Sequence, residues 1–168
     1  LSDVTIKGTY IIDYLFGGGN GKSTTHAPGN PGADVGIYKV NNTPTYYGTG
    51  VAKTTLYAGK IRTVFGGSNT KGNVHGGSKM TMPEVPSGAD KGTKKEYCSA
   101  LEIKNIYGAG NQAEQDGDVD LVLGCVTGME NVYGGANAAD VKGGVNLTIT
   151  SGSFTNVFGG NDRSGTIQ

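Results

Sequence analysis

The chain contains 168 residues, including 31 glycines, 5 prolines and no tryptophan, and its 14 basic residues balance 14 acidic ones. This length suffices for one domain with a core, and the low proline content excludes a collagen-like chain. The balanced charge gives no electrostatic basis for nucleic-acid binding, and no apolar run is long enough to span a bilayer.

The first predicted element is a strand near the N-terminus, where Val4 and Ile6 alternate with polar residues. The sequence has no initiator methionine and no signal peptide, and it stops at Gln168 shortly after a repeated motif. We interpret residues 1–168 as a single domain that is a segment of a longer protein, and these features leave its localisation open.

A glycine-containing motif recurs five times along the chain. Each copy has an aliphatic residue, an aromatic residue and a glycine in succession, an apolar residue five positions before the glycine, and Asn or Asp three positions after it. These motif glycines are Gly17, Gly66, Gly108, Gly134 and Gly159, spaced by 49, 42, 26 and 25 residues. The last two spacings set the repeat length, and the longer ones indicate insertions.

Between the later motifs, in segments 119–123 and 145–149, apolar and polar residues alternate. A period of two predicts strands with one buried face, and a unit this short buries that face only by stacking on its neighbours. We therefore predict an all-β fold, a single-stranded right-handed parallel β-helix (β-solenoid) of about 25 residues per coil and about six coils. Two long loop insertions are expected at about residues 21–50 and 83–97.

Stacking would place residues with the same offset in columns about 4.8 Å apart. Four positions before the motif glycine, such a column would pair Asp13 with Arg62 and Lys104 with Glu130 as exposed ion pairs. The alternative is a catalytic cluster of acids and bases, as in polysaccharide lyases of this architecture. We favour the ion pairs, because only one acid meets one base at a time.

The aromatic residue of the motif would form a column of its own. If the preceding aliphatic residue packs inside, the aromatic column is an exposed ladder, and Tyr107 and Tyr133 become candidate ligand-binding residues for sugars or proteins. If a bend resets the alternation, the column lines the core, which is the interpretation we favour. Its members are Phe16, Phe65, Tyr107, Tyr133 and Phe158.

Two further positions of the motif carry amide side chains. Three positions before the motif glycine, Asn105, Asn131 and Asn156 are expected at a bend between two strands, because Asn tolerates left-handed backbone. Three positions after it, stacked side chains are expected to hydrogen-bond along the coils in a structural role. This second column consists of Asn20, Asn69, Asn111, Asn137 and Asp162.

The first insertion carries Tyr38, Tyr46 and Tyr47, which are further candidate ligand-binding residues, since tyrosine-rich loops suit carbohydrate or protein contact. Alternatively, the first insertion has no binding role and is either a surface loop or a cap over the coils. Cys98 and Cys125 lie about one repeat apart and should occupy neighbouring coils, either as a disulfide or as stacked free thiols.

No metal site is predicted. Asp116, Asp118 and Asp120 are weak candidates that resemble half of a calcium loop, and we interpret them as the solvent side of a strand. His26 and His75 have no second ligand at metal spacing and are expected to be solvated. The sequence carries no recognisable catalytic set and no cofactor motif, so we do not expect an enzyme.

The pattern apolar-x-Asn-Val-Phe/Tyr-Gly-Gly-x-Asn resembles glycine-rich β-helix repeats in surface or secreted proteins of gut bacteria, which are described as adhesins or as proteins of unknown function. The resemblance covers the chain outside the two insertions. It implies an extracellular or cell-surface structural or adhesive module, with a glycan or a host or cell-surface protein as partner. A carbohydrate-binding or polysaccharide-degrading β-helix protein is the alternative function. End-to-end self-association is a further hypothesis, because both chain ends cut through the repeat and leave open strand edges.

Overall fold

A computed structural model of the chain describes residues 1–8, 10–21, 33–40, 43–46, 50–83 and 100–168, and within 37–40 and 43–46 it describes the backbone alone. The described residues form twelve strands and no helix. The strands are β1 (Ser2–Ile6), β2 (Ile11–Phe16), β3 (Ile37–Val40), β4 (Thr43–Tyr46), β5 (Ala52–Leu56), β6 (Gly59–Phe65), β7 (Ser78–Thr81), β8 (Leu101–Tyr107), β9 (Val119–Leu123), β10 (Met129–Tyr133), β11 (Val145–Ile149) and β12 (Phe154–Phe158).

Ten of these strands build two parallel five-stranded sheets. The first sheet, sheet A, has the order β1-β5-β7-β9-β11, and the second, sheet B, has the order β2-β6-β8-β10-β12. Along the chain, one strand of sheet A is followed by one strand of sheet B, so each pass adds one strand to each sheet. We call these passes coils 1 to 5, formed by β1–β2, β5–β6, β7–β8, β9–β10 and β11–β12.

The prediction of an all-β chain with parallel strands is confirmed, but the prediction of a single-stranded coil is wrong. Each repeat contributes two strands to two different sheets, because the motif strand and the alternating segment after it are separate elements. The described residues form five coils, against the predicted number of about six.

The repeats stack in the register that the motif predicts. Val132 pairs with Ile106 on one side and with Val157 on the other, and Val145 pairs with Val119 in sheet A. A third side of each coil is marked by single parallel bridges that join Val35, Val74, Gln115, Val141 and Ile167.

Val35 therefore divides the first predicted insertion into two parts. It is buried and pairs with Val74, so it occupies a regular position of coil 1. The second part contains the antiparallel hairpin β3–β4, which is separate from the two large sheets. Of the second predicted insertion, residues 84–97 lie outside the described part of the chain.

The core lies between the sheets, because alternation turns one face of each sheet toward the other. The aliphatic motif residues Leu15, Val64, Ile106 and Val132 belong to this core, as do Val119, Leu121 and Leu123 from β9. Apolar burial of this kind is the main stabilising contribution to the fold.

The motif glycines are required by close approach of the backbone between coils. A Cβ atom on Gly134 would lie 2.8 Å from Cγ1 of Val145 and well inside contact distance of the Gly159 carbonyl oxygen. Gly17, Gly66 and Gly108 face the next motif glycine in the same way. None of these glycines has a positive φ, so the constraint is steric.

Cys125 is disulfide-bonded and adopts a φ of 60°, which is rare for a residue with a side chain. The other cysteine of the sequence, Cys98, lies outside the described residues.

Candidate functional site

The aromatic motif residues form a continuous stack on the outer face of sheet B, which we call the aromatic ladder. Adjacent rings are nearly parallel, with centroids 5.0, 4.7, 4.8 and 5.1 Å apart from Phe16 through Phe65, Tyr107 and Tyr133 to Phe158. The rings lie outside the core cluster, while the neighbouring aliphatic residues lie within it. The interpretation that this column lines the core is therefore wrong.

The outward orientation of the aromatic rings is explained by the backbone at Asn131 and its equivalents. In β10, Met129 is buried, Glu130 is exposed, Asn131 is half-buried and Val132 is buried, so the alternation shifts by one position at Asn131. The strand continues through this position instead of ending there. The shift turns both Met129 and Val132 inward and sends Tyr133 outward.

Ring stacking determines what the ladder can bind. Each inner ring has both faces covered by its neighbours, so Tyr107 and Tyr133 present ring edges and hydroxyl groups to solvent, while Phe65 is buried with 4% of its surface exposed. Sugars stack on aromatic faces, and such faces are open only at the two ends of the ladder. Sequence reasoning missed this restriction, because it placed the rings in a column without considering what covers them.

The edges of the ladder form one side of a groove with a volume of about 560 Å³. The other side consists of amide side chains, and Arg163 lies at the coil 5 end. The lining includes Phe65, Tyr107, Asn111, Gln112, Asn137 and Arg163.

The amide side of this groove is a hydrogen-bonded column, which we call the amide ladder. The Nδ2 atoms of Asn69, Asn111 and Asn137 each donate to Oδ1 of the preceding member, over 2.8, 2.9 and 2.6 Å. The first acceptor is Asn20. The predicted hydrogen-bonded column of side chains is therefore present in coils 1 to 4.

Asp162 ends the amide ladder in coil 5. A carboxylate cannot donate as Asn does, and Oδ1 of Asn137 is a buried atom without a hydrogen-bond partner. Asp162 instead accepts a hydrogen bond from the hydroxyl of Tyr107, with 3.0 Å between the oxygen atoms. Burial and this acceptor raise the pKa of Tyr107, and burial and the charge of Asp162 also raise the pKa of Tyr133. Both hydroxyl groups are therefore protonated donors at neutral pH.

Asn105, Asn131 and Asn156 form a second, shorter ladder inside the strands. Asn131 donates to Asn105 over 2.8 Å, and Asn156 donates to Asn131 over 2.9 Å. These bonds satisfy polar side chains at the position where the alternation shifts.

The column of charged residues four positions before the motif glycine contains the two predicted ion pairs. Arg62 lies 3.7 Å from Asp13, and Lys104 lies 3.5 Å from Glu130. Lys60 adds a third pair with Glu102 at 3.2 Å. All three pairs are exposed, so each contributes about 0–1 kcal/mol.

A depression of about 160 Å³ lies among these charges, and its polar lining consists of Asp13, Lys60, Arg62, Glu102 and Lys104. Each of its two acids is paired with a base from a neighbouring coil. The surface is thus neutralised pair by pair.

A histidine between two carboxylates is the feature that sequence reasoning missed. Nδ1 of His75 lies 2.6 Å from Asp116, and Nε2 lies 3.1 Å from Asp34. The prediction of a solvated His75 is wrong, because its side chain is only 10% exposed and that of Asp34 is 0% exposed. His26 lies outside the described residues.

The geometry of this cluster indicates its role. With both ring nitrogens engaged by carboxylates, His75 is not placed to act as a general base on a substrate. The cluster links coils 1, 2 and 3.

The three candidate metal carboxylates have separate protein partners. Asp116 also contacts Lys142 at 3.0 Å, Asp118 accepts a hydrogen bond from the Gly144 amide at 2.8 Å, and Asp120 pairs with Lys79 at 3.1 Å. Partial burial raises the pKa of Asp116, but hydrogen bonds from Asn73, Lys142 and His75 outweigh it and lower the pKa. Across the described ranges, no three His, Cys, Asp or Glu residues are grouped to hold a metal ion.

The candidate tyrosines of the first insertion cannot be assigned to the groove. Tyr38 lies in β3 and Tyr46 in β4, where the backbone alone is described, and Tyr47 lies outside the described residues.

In the part of the chain that the structure describes, no helix has the length and apolar character needed to cross a bilayer. Comparison of the chain with family models, with curated proteins and with solved structures gave no significant match. The stacked ladders and paired charges are therefore the observations on which a functional proposal rests.

Proposed function

We propose that this chain is a non-enzymatic structural or adhesive module, a right-handed parallel β-helix, of a surface or secreted bacterial protein. The right hand is expected because parallel crossover connections are overwhelmingly right-handed. The extracellular location follows from the resemblance of the repeat to surface proteins of gut bacteria.

One observation carries this proposal: the outward polar side chains bond mainly to their counterparts in the next coil. The amide ladder and the Arg62–Asp13 pair are examples. A hydrolase or lyase needs acids and bases with perturbed pKa values that converge on a substrate. Residues that hold coils together serve a scaffold instead.

The test is an assay for polysaccharide cleavage. We expect the chain to release neither reducing ends nor unsaturated products from acidic and neutral polysaccharides across the pH range. Cleavage that disappears in the double variant Asp13→Asn, Glu102→Gln would overturn the proposal. Thr155→Ala, an exposed change in coil 5, is the matched control.

Carbohydrate binding in the groove is the second candidate, and the groove itself favours it. Amide side chains and Arg163 provide donors along about 560 Å³ of open volume. Because the ring faces are covered, we expect binding by hydrogen bonds at ring edges, with modest affinity.

A glycan array separates the two candidates. We expect any bound glycan to lose affinity about tenfold in Arg163→Ala, which removes a groove donor, and to be unaffected by Lys53→Ala in sheet A. No binding across the array, or equal loss in both variants, would leave the scaffold role alone.

A further inference from the structure

Two neighbouring rungs of the aromatic ladder carry tyrosine where its other rungs carry phenylalanine. The rings of Tyr107 in coil 3 and Tyr133 in coil 4 are stacked, with centroids 4.8 Å apart and an interplanar angle of 9°. Phe65 covers the remaining face of the first ring, and Phe158 covers that of the second. The two phenols are therefore held face to face, in coils that have a neighbour on each side.

The carboxylate of Asp162 interacts with both phenols. The Tyr107 hydroxyl donates to Oδ2 of Asp162 over 3.0 Å, although the two residues are two coils apart. The Tyr133 hydroxyl, from the coil between them, also hydrogen-bonds to this carboxylate. Burial and Asp162 raise the pKa of both tyrosines. Two protonated phenols thus share one proton acceptor.

This arrangement favours the loss of an electron from the pair together with a proton. A phenol that has lost an electron is a strong acid, and its proton can pass along the existing hydrogen bond to Oδ2 of Asp162. A base already within hydrogen-bonding distance lowers the barrier to such a proton transfer.

Tyr14 lies on the same face of sheet B and has the opposite surroundings. The guanidinium carbon of Arg62 lies 4.7 Å from the centroid of its ring, and Nη2 of Arg62 donates to its hydroxyl. A cation over the ring is attracted to its electrons and repels a ring that has lost one. Oxidation is therefore opposed at Tyr14 and favoured at Tyr107.

Stacking also determines what an oxidised pair becomes. The unpaired electron of a phenoxyl radical occupies p orbitals perpendicular to the ring, with high density at the carbons ortho to the oxygen. In a face-to-face pair these orbitals point from one ring toward the other, which is the orientation that forms a bond between ortho carbons. Among the tyrosines whose side chains the structure describes, Tyr107 and Tyr133 are the one pair stacked on each other.

We propose that Tyr107 and Tyr133 are a site of oxidative modification, where a one-electron oxidant, such as a peroxidase acting with hydrogen peroxide, joins the two rings as dityrosine. Each phenol gives one electron to the oxidant and its hydroxyl proton to Asp162, from which it passes to solvent. The two radicals form a carbon–carbon bond between ortho carbons, and the two ortho hydrogens then move to the oxygens. The product has lost two hydrogen atoms and links coils 3 and 4 covalently. This inference is independent of the proposed function, since neither scaffolding nor glycan binding requires the link.

The experiment treats a dilute solution of the 168-residue chain with photogenerated ruthenium(III) tris-bipyridine, a one-electron oxidant. After reduction of disulfides, cleavage after glutamate separates fragment 103–114, which contains Tyr107, from fragment 131–168, which contains Tyr133. We expect dityrosine fluorescence in the monomer and the two fragments joined, with the loss of two hydrogen atoms by mass spectrometry.

Two tyrosine variants locate the reaction. Tyr133→Phe keeps a stacked ring but removes the second phenol, and it should lower the dityrosine yield at least about tenfold, because the coupling partner is no longer held in place. Tyr14→Phe removes the same hydroxyl outside the pair and should leave the yield unchanged.

Asp162→Asn tests the carboxylate as a positioned proton acceptor. The amide still accepts a hydrogen bond from Tyr107 but does not take up its proton. Oxidation should slow at least about tenfold, because the proton must then pass directly to solvent. The rate should also become dependent on the concentration of buffer base, a response that a purely structural change would not produce. Thermal unfolding establishes that each variant is folded.

Three outcomes would overturn the proposal: fragments 103–114 and 131–168 that stay separate after oxidation, a dityrosine yield that Tyr133→Phe leaves intact, or an oxidation rate that Asp162→Asn does not change. A polysaccharide-cleaving chain that still forms this link would contradict the proposed function and leave this inference standing.

Discussion

Coils 4 and 5 carry the same motif, and their different surroundings determine what that motif contributes. Gly134 has the next coil against it, and Gly159 has nothing within contact distance. Val132 is fully buried and Val157 is almost half exposed. The comparison teaches that burial in this fold is supplied by the neighbouring coil, since no coil of this length encloses a core alone.

The largest expected difference between inner and terminal coils is at the motif glycines. Gly108→Ala should lower the free energy of unfolding by about 3 kcal/mol, because a Cβ there would collide with the Gly134 carbonyl and with Val119. Gly159→Ala should change it by less than about 0.5 kcal/mol. Urea unfolding followed by circular dichroism measures both, and equal losses would show that the glycines serve backbone flexibility instead.

A smaller difference is expected at the aliphatic motif position. Val132→Ala removes two fully buried methyl groups and should cost about 2 kcal/mol, while Val157→Ala at the open face should cost about 0.5 kcal/mol. If both variants lose the same stability in dilute solution, then Val157 is covered as fully as Val132.

A gain of stability is expected where the amide ladder ends. Asp162→Asn supplies a donor for the buried Oδ1 of Asn137 and keeps an acceptor for the Tyr107 hydroxyl, so stability should rise by about 1 kcal/mol. Thermal unfolding measures this change. Asp120→Asn, which also removes a carboxylate but lies outside the ladder, is the control and should not be stabilising.

The smallest expected effect concerns the stability of the fold at low pH. The pKa of Asp116 is lowered in the folded chain, so its contribution to stability is present above the unfolded pKa of about 3.9 and is lost as pH falls through the lower folded value. Asp116→Asn should therefore flatten the acid limb of stability against pH. The pKa of Asp140 is lowered mainly by hydrogen bonds from the uncharged Thr166 of coil 5, so its Asn variant should flatten the acid limb less.

The sequence predicted those parts of the fold that repeat at a fixed offset. Asp13 and Arg62 occupy the same offset from their motif glycines, as do the members of the amide ladder, so stacking alone brings each set together. The orientation of the aromatic ladder was not predictable in this way. It depends on the shift of alternation at Asn131, and the mark of that shift in the sequence is the spacing of three residues between the apolar Met129 and Val132, where regular alternation has two.

The His75 cluster shows a second limit of prediction from the sequence. Asp34 and Asp116 each lie 41 residues from His75, but inserted residues separate Asp34 from its motif glycine. The three residues therefore share no offset, and only the folded backbone brings them together. The parallel bridge between Val35 and Val74 puts Asp34 and His75 on neighbouring coils, two positions apart in register, and their side chains span that diagonal.

The direction of the backbone hydrogen bonds has a mechanical consequence. They run from coil to coil, along the axis of the stack, so tension applied along that axis loads few of them at a time and peels coils singly. Each uninterrupted coil holds 25 or 26 residues, so its detachment would lengthen the extended chain by about 85 Å. A tether of this kind yields in steps instead of failing at once, and single-molecule extension curves would show a sawtooth of that spacing.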